Sequence, residues 1–457
     1  MVRLYLNEKR EIKLGWKMTR KKVVYVCENC GYESPRWFGK CPACNEWDSA
    51  KEISVETKEK LNVKKPSFFL LEEASKIKNV ERLSTNYEEL DTLLGGGIVS
   101  GQVILLGGEP GVGKSTLALQ LSDRLSSYGD ILYISGEESI AQIGLRSKRL
   151  NISSRNIYVT SDNEVETLIS TIRKQNPIFI VFDSIQTIYS NSVEGVPGGV
   201  LQVRTVVEKI RKFAKESGIP ALLIAHVNKE GNIAGPKLVE HIVDTVVYFE
   251  GEKTTDLRIL RVMKNRFGPS GEIAVFQMLS TGLKELKEMI FVEESNMPGN
   301  VIASLFEGTK PILVQVQSLV SRDKIATARR ISHGIDVRKV IILAAVISKH
   351  LNLPIDLHDI YVNVSGGLKI TDPACDLAIA SSILSSLFNR YLGKTVLIGE
   401  VGLDGSIRKV QNLKKRIENA KKAGYKRIII PYDKVSGDGI IKIKTLKELY
   451  RFVIEDE

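Results

Sequence analysis

Long apolar runs are missing from this chain. No stretch approaches the roughly 20 residues needed to cross a hydrocarbon core, which excludes a helical membrane protein. A signal-peptide core is missing too, because Leu4, Tyr5 and Leu6 run straight into Glu8, Lys9, Arg10 and Glu11. The expected location is therefore the cytoplasm. Short internal repeats and low-complexity tracts are absent. Cysteine is scarce: the 457 residues hold five, and four of them stand together. In an intracellular chain that grouping excludes a disulfide framework and points to metal.

What is present reads as globular. Hydrophobic residues make up 43% and charged residues 26%, and the length suggests about three domains. The net charge is +11, and residues 1–22 alone carry eight Lys or Arg against two Glu. A basic tail of this kind is either a nucleic-acid contact or a solvated arm.

The clustered cysteines are Cys27-Glu-Asn-Cys30 and Cys41-Pro-Ala-Cys44, two knuckles separated by ten residues. Four thiolates at that spacing can close a tetrahedron around Zn²⁺. A redox role for C-x-x-C would need a thioredoxin-like βαβ unit, and none surrounds them. Arg36, Trp37, Phe38, Lys40 and Trp47 lie between and beside the knuckles. They can stack on bases or pack the module's small core, and at least one tryptophan is expected in that core. The fifth cysteine, Cys375, sits in an apolar helical pattern and reads as a buried structural thiol.

Chemistry concentrates in Gly108-Glu109-Pro110-Gly111-Val112-Gly113-Lys114-Ser115, followed by Thr116. This is a P-loop between an apolar run and a helical pattern marked by Leu117, Leu121 and Leu125. Its glycines let backbone N–H groups surround phosphate oxygens, and the helix N-terminus adds its dipole. Lys114 is expected on the β- and γ-phosphates of ATP, with Ser115 on Mg²⁺. About 70 residues later, Ile178-Phe-Ile-Val-Phe-Asp183 reads as a Walker B strand, its carboxylate placed for the same Mg²⁺. Leu132-Tyr-Ile-Ser-Gly-Glu137-Glu138 ends another strand with two carboxylates. Glu137 is the preferred base for polarising water. His226 ends the strand Ala221–Ala225 and is a candidate γ-phosphate sensor. Lys264-Asn265-Arg266-Phe267-Gly268 closes a further strand. Its two cations form either a surface turn or a group that reaches a neighbouring subunit's phosphates.

Strand candidates alternate with helices from about Asn79, at Val103–Leu106, Ile131–Ser135, Ile178–Phe182, Ala221–Ala225, Thr245–Phe249 and Leu257–Lys264. That alternation predicts a mostly parallel sheet flanked by helices, and the closely spaced last strands suggest an antiparallel edge. Glycine-rich segments Ser190–Gly199 and Asn228–Pro236 follow two strand ends, a composition suited to loops that order on binding. A second α/β segment starts near Phe291, with strands at Ile312–Leu319, Ile360–Val364, Thr395–Gly399 and Arg427–Ile430.

Leu90-Asp91-Thr-Leu-Leu-Gly95-Gly96-Gly97-Ile-Val-Ser-Gly101, six residues before the P-loop, resembles the entry to a RecA-type ATPase core. Together with the four-cysteine ribbon and Lys-Asn-Arg-Phe-Gly, it makes residues 23–457 resemble the bacterial RadA (Sms) family of DNA-repair and recombination ATPases. The resemblance implies a RecA-type P-loop core, a small N-terminal zinc ribbon and a C-terminal α/β domain like the proteolytic domain of Lon. The expected boundaries are a basic extension at 1–22, the ribbon at 23–50, a linker at 51–78, the ATPase domain at 79–285 and the Lon-like domain at 286–457. Lys414 matches the Lon-type lysine, but Ala374 stands at the nucleophile position and has no hydroxyl, so the domain reads as a non-proteolytic scaffold.

The resemblance further implies a homo-oligomeric, hexameric ring associated with the nucleoid. Its partners would be single-stranded DNA, branched recombination intermediates and a RecA-type recombinase, with no membrane. Its activity would be DNA-dependent ATP hydrolysis driving helicase-like branch migration. Arg204, Lys229 and Lys237 are candidate contacts to the DNA backbone. Two other readings are an ATP-dependent protease of the Lon kind, which Ala374 disfavours, and a non-translocating ATPase switch.

Overall fold

The computed structural model describes residues 22–27, 30–55, 81–226, 236–251, 256–287, 290–293, 295–322 and 328–455. The basic tail, apart from Lys22, and most of the expected linker lie outside these residues. So do Lys229 and nearly all of the Asn228–Pro236 loop.

At the N-terminal end, β1 (Lys22–Cys27), β2 (Glu33–Ser34) and β3 (Ala50–Val55) form an antiparallel sheet in the order β2-β1-β3. Strand β3 takes residues 51–55, which were expected to open the linker. Lys51 and Glu52 suit an outer strand, and the whole length of β3 pairs with β1. A second expectation is also corrected. Trp37 and Trp47 are 61% and 70% exposed, so neither fills the ribbon's core. Tyr32 and Phe38 pack edge to face instead, with centroids 5.7 Å apart, and Lys40 lies over the Trp47 ring. The ribbon's interior is taken by Cys27 and Cys41, both 0% exposed, and the Trp37 ring lies over Gly39 instead.

Past β4 (Arg82–Leu83), α1 (Glu88–Leu94) and β5 (Ile98–Val99), the chain builds a nine-stranded sheet. Its strands are β6 (Val103–Gly108), β7 (Ile131–Ser135), β8 (Ile157–Thr160), β9 (Phe179–Asp183), β10 (Ala221–His226), β11 (Thr245–Glu250), β12 (Leu257–Asn265), β13 (Ile273–Leu279) and β14 (Gly282–Leu286). They run in the order β14-β13-β12-β11-β6-β10-β9-β7-β8. The six from β11 to β8 are parallel, and β12 to β14 form the antiparallel edge.

Parallel strands covered on both faces read as unbroken apolar runs, and every residue of β6, β7 and β9 is buried. The covering helices are α2 (Lys114–Leu125), α3 (Ile140–Arg149), α4 (Val165–Gln175), α5 (Val200–Ser217) and α6 (Pro236–Ile242). Helix α3 packs lightly on the sheet, burying only Ile143. It is held at its start by a reciprocal capping box between Ser139 and Gln142.

A second sheet holds β15 (Ile290–Phe291), β16 (Asn300–Glu307), β17 (Lys310–Arg322), β18 (Arg330–His333), β19 (His358–Val364), β20 (Thr395–Leu397), β23 (Arg427–Pro431) and β24 (Ile440–Ile443). Between β20 and β23, the short strands β21 (Glu400–Val401) and β22 (Ile407–Arg408) pair around the Asp404-Gly405 turn. Helices α7 (Val337–Leu351), α8 (Asp376–Leu387), α9 (Leu413–Lys422) and α10 (Leu446–Glu455) complete this unit. Its core is continuous with Ile273 and Val275 of the first sheet.

Candidate active site

The P-loop leaves the C-terminal end of β6 and enters α2, with Gly113 at φ +113° as the last residue before the helix. Gly108 admits no side chain, because a Cβ there would lie 2.5 Å from the Phe249 carbonyl of the adjacent strand. Lys114 is 3% exposed. Its Nζ donates to the carbonyls of Gly108 (2.8 Å) and Glu109 (2.9 Å) and contacts His226 Nδ1 at 3.2 Å. Burial lowers its pKa to about 8, against the pull of Asp183 and Glu137.

Sheet order explains why the other candidates meet this lysine. Strand β10 separates β6 from β9, and β7 flanks β9, so parallel strand ends deliver His226, Asp183 and Glu137 to one edge. The register sets His226 level with Gly108, and Ser135 level with Asp183. His226 Nε2 lies 3.1 Å from Glu137 Oε1. An ammonium only donates, so Nδ1 accepts from Lys114 and Nε2–H donates to Glu137. Ser184 Oγ donates a short hydrogen bond to the same carboxylate. These partners lower the Glu137 pKa to about 2, the His226 hydrogen bond acting most strongly and the bond from Ser184 and the charge of Lys114 adding to it.

The structure separates the two neighbouring acids. Glu137 faces the P-loop lysine through His226, whereas Glu138 forms an ion pair with Arg146 of α3. Asp183 is 4% exposed and accepts from the Tyr133 hydroxyl at 2.6 Å. Neither Tyr133 nor Ser184 emerges from the motif reading. The signal that could have found Tyr133 is a phenol inside an otherwise aliphatic buried strand, where its hydroxyl needs a partner. Ser115 and Thr116 occupy the first turn of α2 beside Lys114.

Lys264 and Arg266 lie at the opposite edge of the same sheet. Asn265 pairs with Thr245, which is level with Ile104 at the start of β6, about 13 Å along the strand from the P-loop. Lys264 Nζ donates to the carbonyls of Glu240 (2.7 Å), His241 (3.2 Å) and Val243 (2.8 Å) at the end of α6. Arg266 pairs with the buried Asp244 at 3.2 Å. Asn265 accepts from Thr245 and from the Phe267 amide, and donates to Leu94 O. Gly268 abuts Gly95, where a Cβ would meet the Gly268 Cα at 2.9 Å, so the Gly-Gly-Gly entry and the Lys-Asn-Arg-Phe-Gly turn are one packed unit. Of the candidate DNA contacts, Arg204 pairs with Glu208, and Lys237 belongs to α6.

In the ribbon, the Sγ atoms of Cys27, Cys30, Cys41 and Cys44 all lie within 4.8 Å of one another. The Cys27–Cys44 and Cys30–Cys41 separations are 3.6 and 3.4 Å. A tetrahedron with Zn–S bonds of about 2.3 Å has S···S edges of about 3.8 Å, so this donor set fits Zn²⁺. In the C-terminal unit, Ala374 is buried beside Leu413 and Ile417 while Lys414 is exposed. Ser365 and Ser381 hydrogen-bond to Gln315 and Leu377 O. The interior there holds an ion pair instead, Arg416 with Asp372 at 2.6 Å. Cys375 is fully buried, which raises its thiol pKa.

The nucleotide loop, the acid-bearing strand ends and the single strand between β6 and β9 define a P-loop ATPase with a RecA-type core. The chain matches family models described as "AAA domain" over residues 71–232, "Rubredoxin metal binding domain" over 25–52 and "Subunit ChlI of Mg-chelatase" over 334–434. It is 44% identical over 418 residues to "DNA repair protein RadA" of Aquifex aeolicus (strain VF5), covering 91% of this chain and 94% of that one. With the protein of the same name from Bacillus subtilis (strain 168) it shares 43% over 436 residues, 92% and 94% of the two chains. A crystal structure of a KaiC-like protein from Pyrococcus horikoshii OT3 superposes with a TM-score of 0.38 at 19% identity, over 46% of this chain and all of that one. The chain belongs to the RadA family of DNA repair proteins.

Proposed function

We propose that this protein is a DNA-dependent ATPase of recombination and repair that works as a hexameric ring and drives helicase-like branch migration. Family membership supports the repair role. The observation that carries the motor reading is the split of functional groups between two edges of one sheet. Lys114, Glu137, Asp183 and His226 gather at one edge, and Lys264 and Arg266 stand at the other. A cation at that second edge is too far to serve its own chain's phosphates; Lys264 is engaged by the end of α6, and Arg266, still 45% exposed beside Asp244, is the one we propose reaches a neighbour's. Each ATP site is then shared between two copies, as a ring of sequentially firing sites requires.

In the proposed reaction the P-loop amides and Lys114 would hold the phosphates of ATP, and the Ser115 hydroxyl and Asp183 carboxylate would hold Mg²⁺, which would neutralise developing phosphate charge. Glu137, kept ionised by its partners, orients the attacking water. His226 touches both Lys114 and Glu137 and is the last residue before the 227–235 segment, so it can report phosphate occupancy to that segment. The Lys264 contacts fasten the helix on the far side of the same segment. Single-stranded DNA then contacts Arg204, Lys229 and Lys237 in the channel, with recombination intermediates as substrates and a RecA-type recombinase as partner. The zinc ribbon is a folded accessory module, and the Lon-like domain is a scaffold without peptidase activity. Among the described residues no helix is long and apolar enough to cross a membrane, and we place the protein in the cytoplasm at the nucleoid.

The test is ATP turnover with and without single-stranded DNA across a salt series. Stimulation that weakens as salt rises is expected, together with loss of turnover in Lys114→Ala. Turnover indifferent to DNA would overturn the motor reading and favour a switch.

A further inference from the structure

We propose that Tyr133 is a positioning residue for the Walker B carboxylate: it fixes Asp183 in the orientation that receives the nucleotide-bound divalent cation. This rests on the reading of Asp183 as a cation-binding group. Tyr133 is 1% exposed and Asp183 is 4% exposed. The phenol donates to Asp183 Oδ2 at 2.6 Å, a length typical of a strong O–H···O⁻ bond. The two residues stand on adjacent parallel strands, with Tyr133 level with Val181 and Ser135 level with Asp183. The ring therefore spans two residues of strand length to reach the carboxylate.

The consequence is a division of labour between the two oxygens. Oδ2 is occupied by the phenol and Oδ1 is left for the cation and its waters. A carboxylate free to rotate about χ2 would present either oxygen and lose that alignment. Groups behind a metal ligand commonly change metal affinity 10- to 100-fold when removed. Phenylalanine could satisfy the packing of this buried position, yet the chain carries a hydroxyl there whose hydrogen bond runs to Asp183.

The experiment uses the full-length protein with a non-hydrolysable ATP analogue and Mn²⁺, with free Mn²⁺ read by electron paramagnetic resonance. Tyr133→Phe is expected to weaken Mn²⁺ binding about 10- to 100-fold while leaving analogue affinity in EDTA unchanged. In an Asp183→Asn background the same substitution is expected to add nothing further, which a merely structural role would not predict. Wild-type Mn²⁺ affinity in Tyr133→Phe, with a loss in Asp183→Asn, overturns the proposal and keeps the Walker B reading. Wild-type affinity in both overturns the Walker B reading itself. If Tyr133→Phe does not fold, 3,5-difluorotyrosine at position 133 keeps ring and hydroxyl and makes the phenol a stronger donor at the cost of two small fluorines. An unchanged Mn²⁺ affinity there overturns the proposal, and a changed one supports it.

Discussion

Replacing Lys264 with methionine keeps an unbranched apolar stem of nearly the same length and removes the ammonium, which isolates what that group does. It donates to three carbonyls, those of Glu240, His241 and Val243, at 2.7, 3.2 and 2.8 Å. These close the C-terminal end of α6, where a cation also meets the negative pole of the helix. A hydrogen bond to a charged group contributes about 1.5–3 kcal/mol, but three bonds to one ammonium are not additive and the site is partly open to water. A net loss of about 2 kcal/mol is the reasonable figure, equivalent to a roughly 30-fold rise in local opening of α6. The assay is hydrogen exchange followed by mass spectrometry on peptides covering 236–244. Protection there should fall by that factor, while the α4 and α5 peptides keep theirs. DNA-stimulated turnover should fall with it, because α6 follows the segment attached to His226. Unchanged protection in α6 would refute the idea that Lys264 fastens it and would leave only a role toward a neighbouring copy.

Glu137→Gln should retain ATP and lose about 10²- to 10⁴-fold in turnover, so near-normal turnover would point to another base. The Glu137 carboxyl titrates near 2 in the folded protein against an ordinary 4.5. A depressed carboxyl adds stability above the unfolded value that is lost as pH falls through the folded one. Acid-unfolding curves of wild type and Glu137→Gln, followed by circular dichroism, should therefore change their separation only between pH 4.5 and about 2; a change near pH 6 would refute the assignment. Chelation should release a single zinc ion, which provides on the order of 10 kcal/mol of the ribbon's folding energy, and render Cys27, Cys30, Cys41 and Cys44 reactive to a thiol reagent while Cys375 stays protected. Purified protein lacking zinc but with protected ribbon thiols would contradict this. Arg416→Ala should cost the C-terminal unit about 3–5 kcal/mol in denaturant unfolding, since it empties a guanidinium site that is 3% exposed and leaves the Asp372 charge with only the Phe306 and Ala374 amides; a loss below about 1 kcal/mol would show that the pair is dispensable.

What the sequence by itself determined was whatever rests on local chemistry. A loop that wraps phosphate needs Gly108, Gly111, Gly113 and Lys114 within one turn, so the P-loop was legible as written. Four thiolates around a metal need close spacing, so the cysteine knuckles were legible too, and buried parallel strands betrayed themselves as apolar runs. The tertiary structure alone decided which groups meet. Glu137 and Glu138 are adjacent and chemically alike, and only the placement of α3 ties Glu138 to Arg146 and turns Glu137 toward His226. Tyr133 and Asp183 are 50 residues apart and meet because β7 lies beside β9. Trp37 and Trp47 look like core residues until the fold gives the ribbon's interior to Cys27 and Cys41. Lys264 and Arg266 read as a surface turn or as a reach to a neighbour's phosphates, and only the fold sets them at the far end of the sheet from the P-loop, against the end of α6 and Asp244. Periodicity and spacing act over a few residues, whereas strand order and register act across the whole chain, and the second set of constraints fixes which side chains share a site.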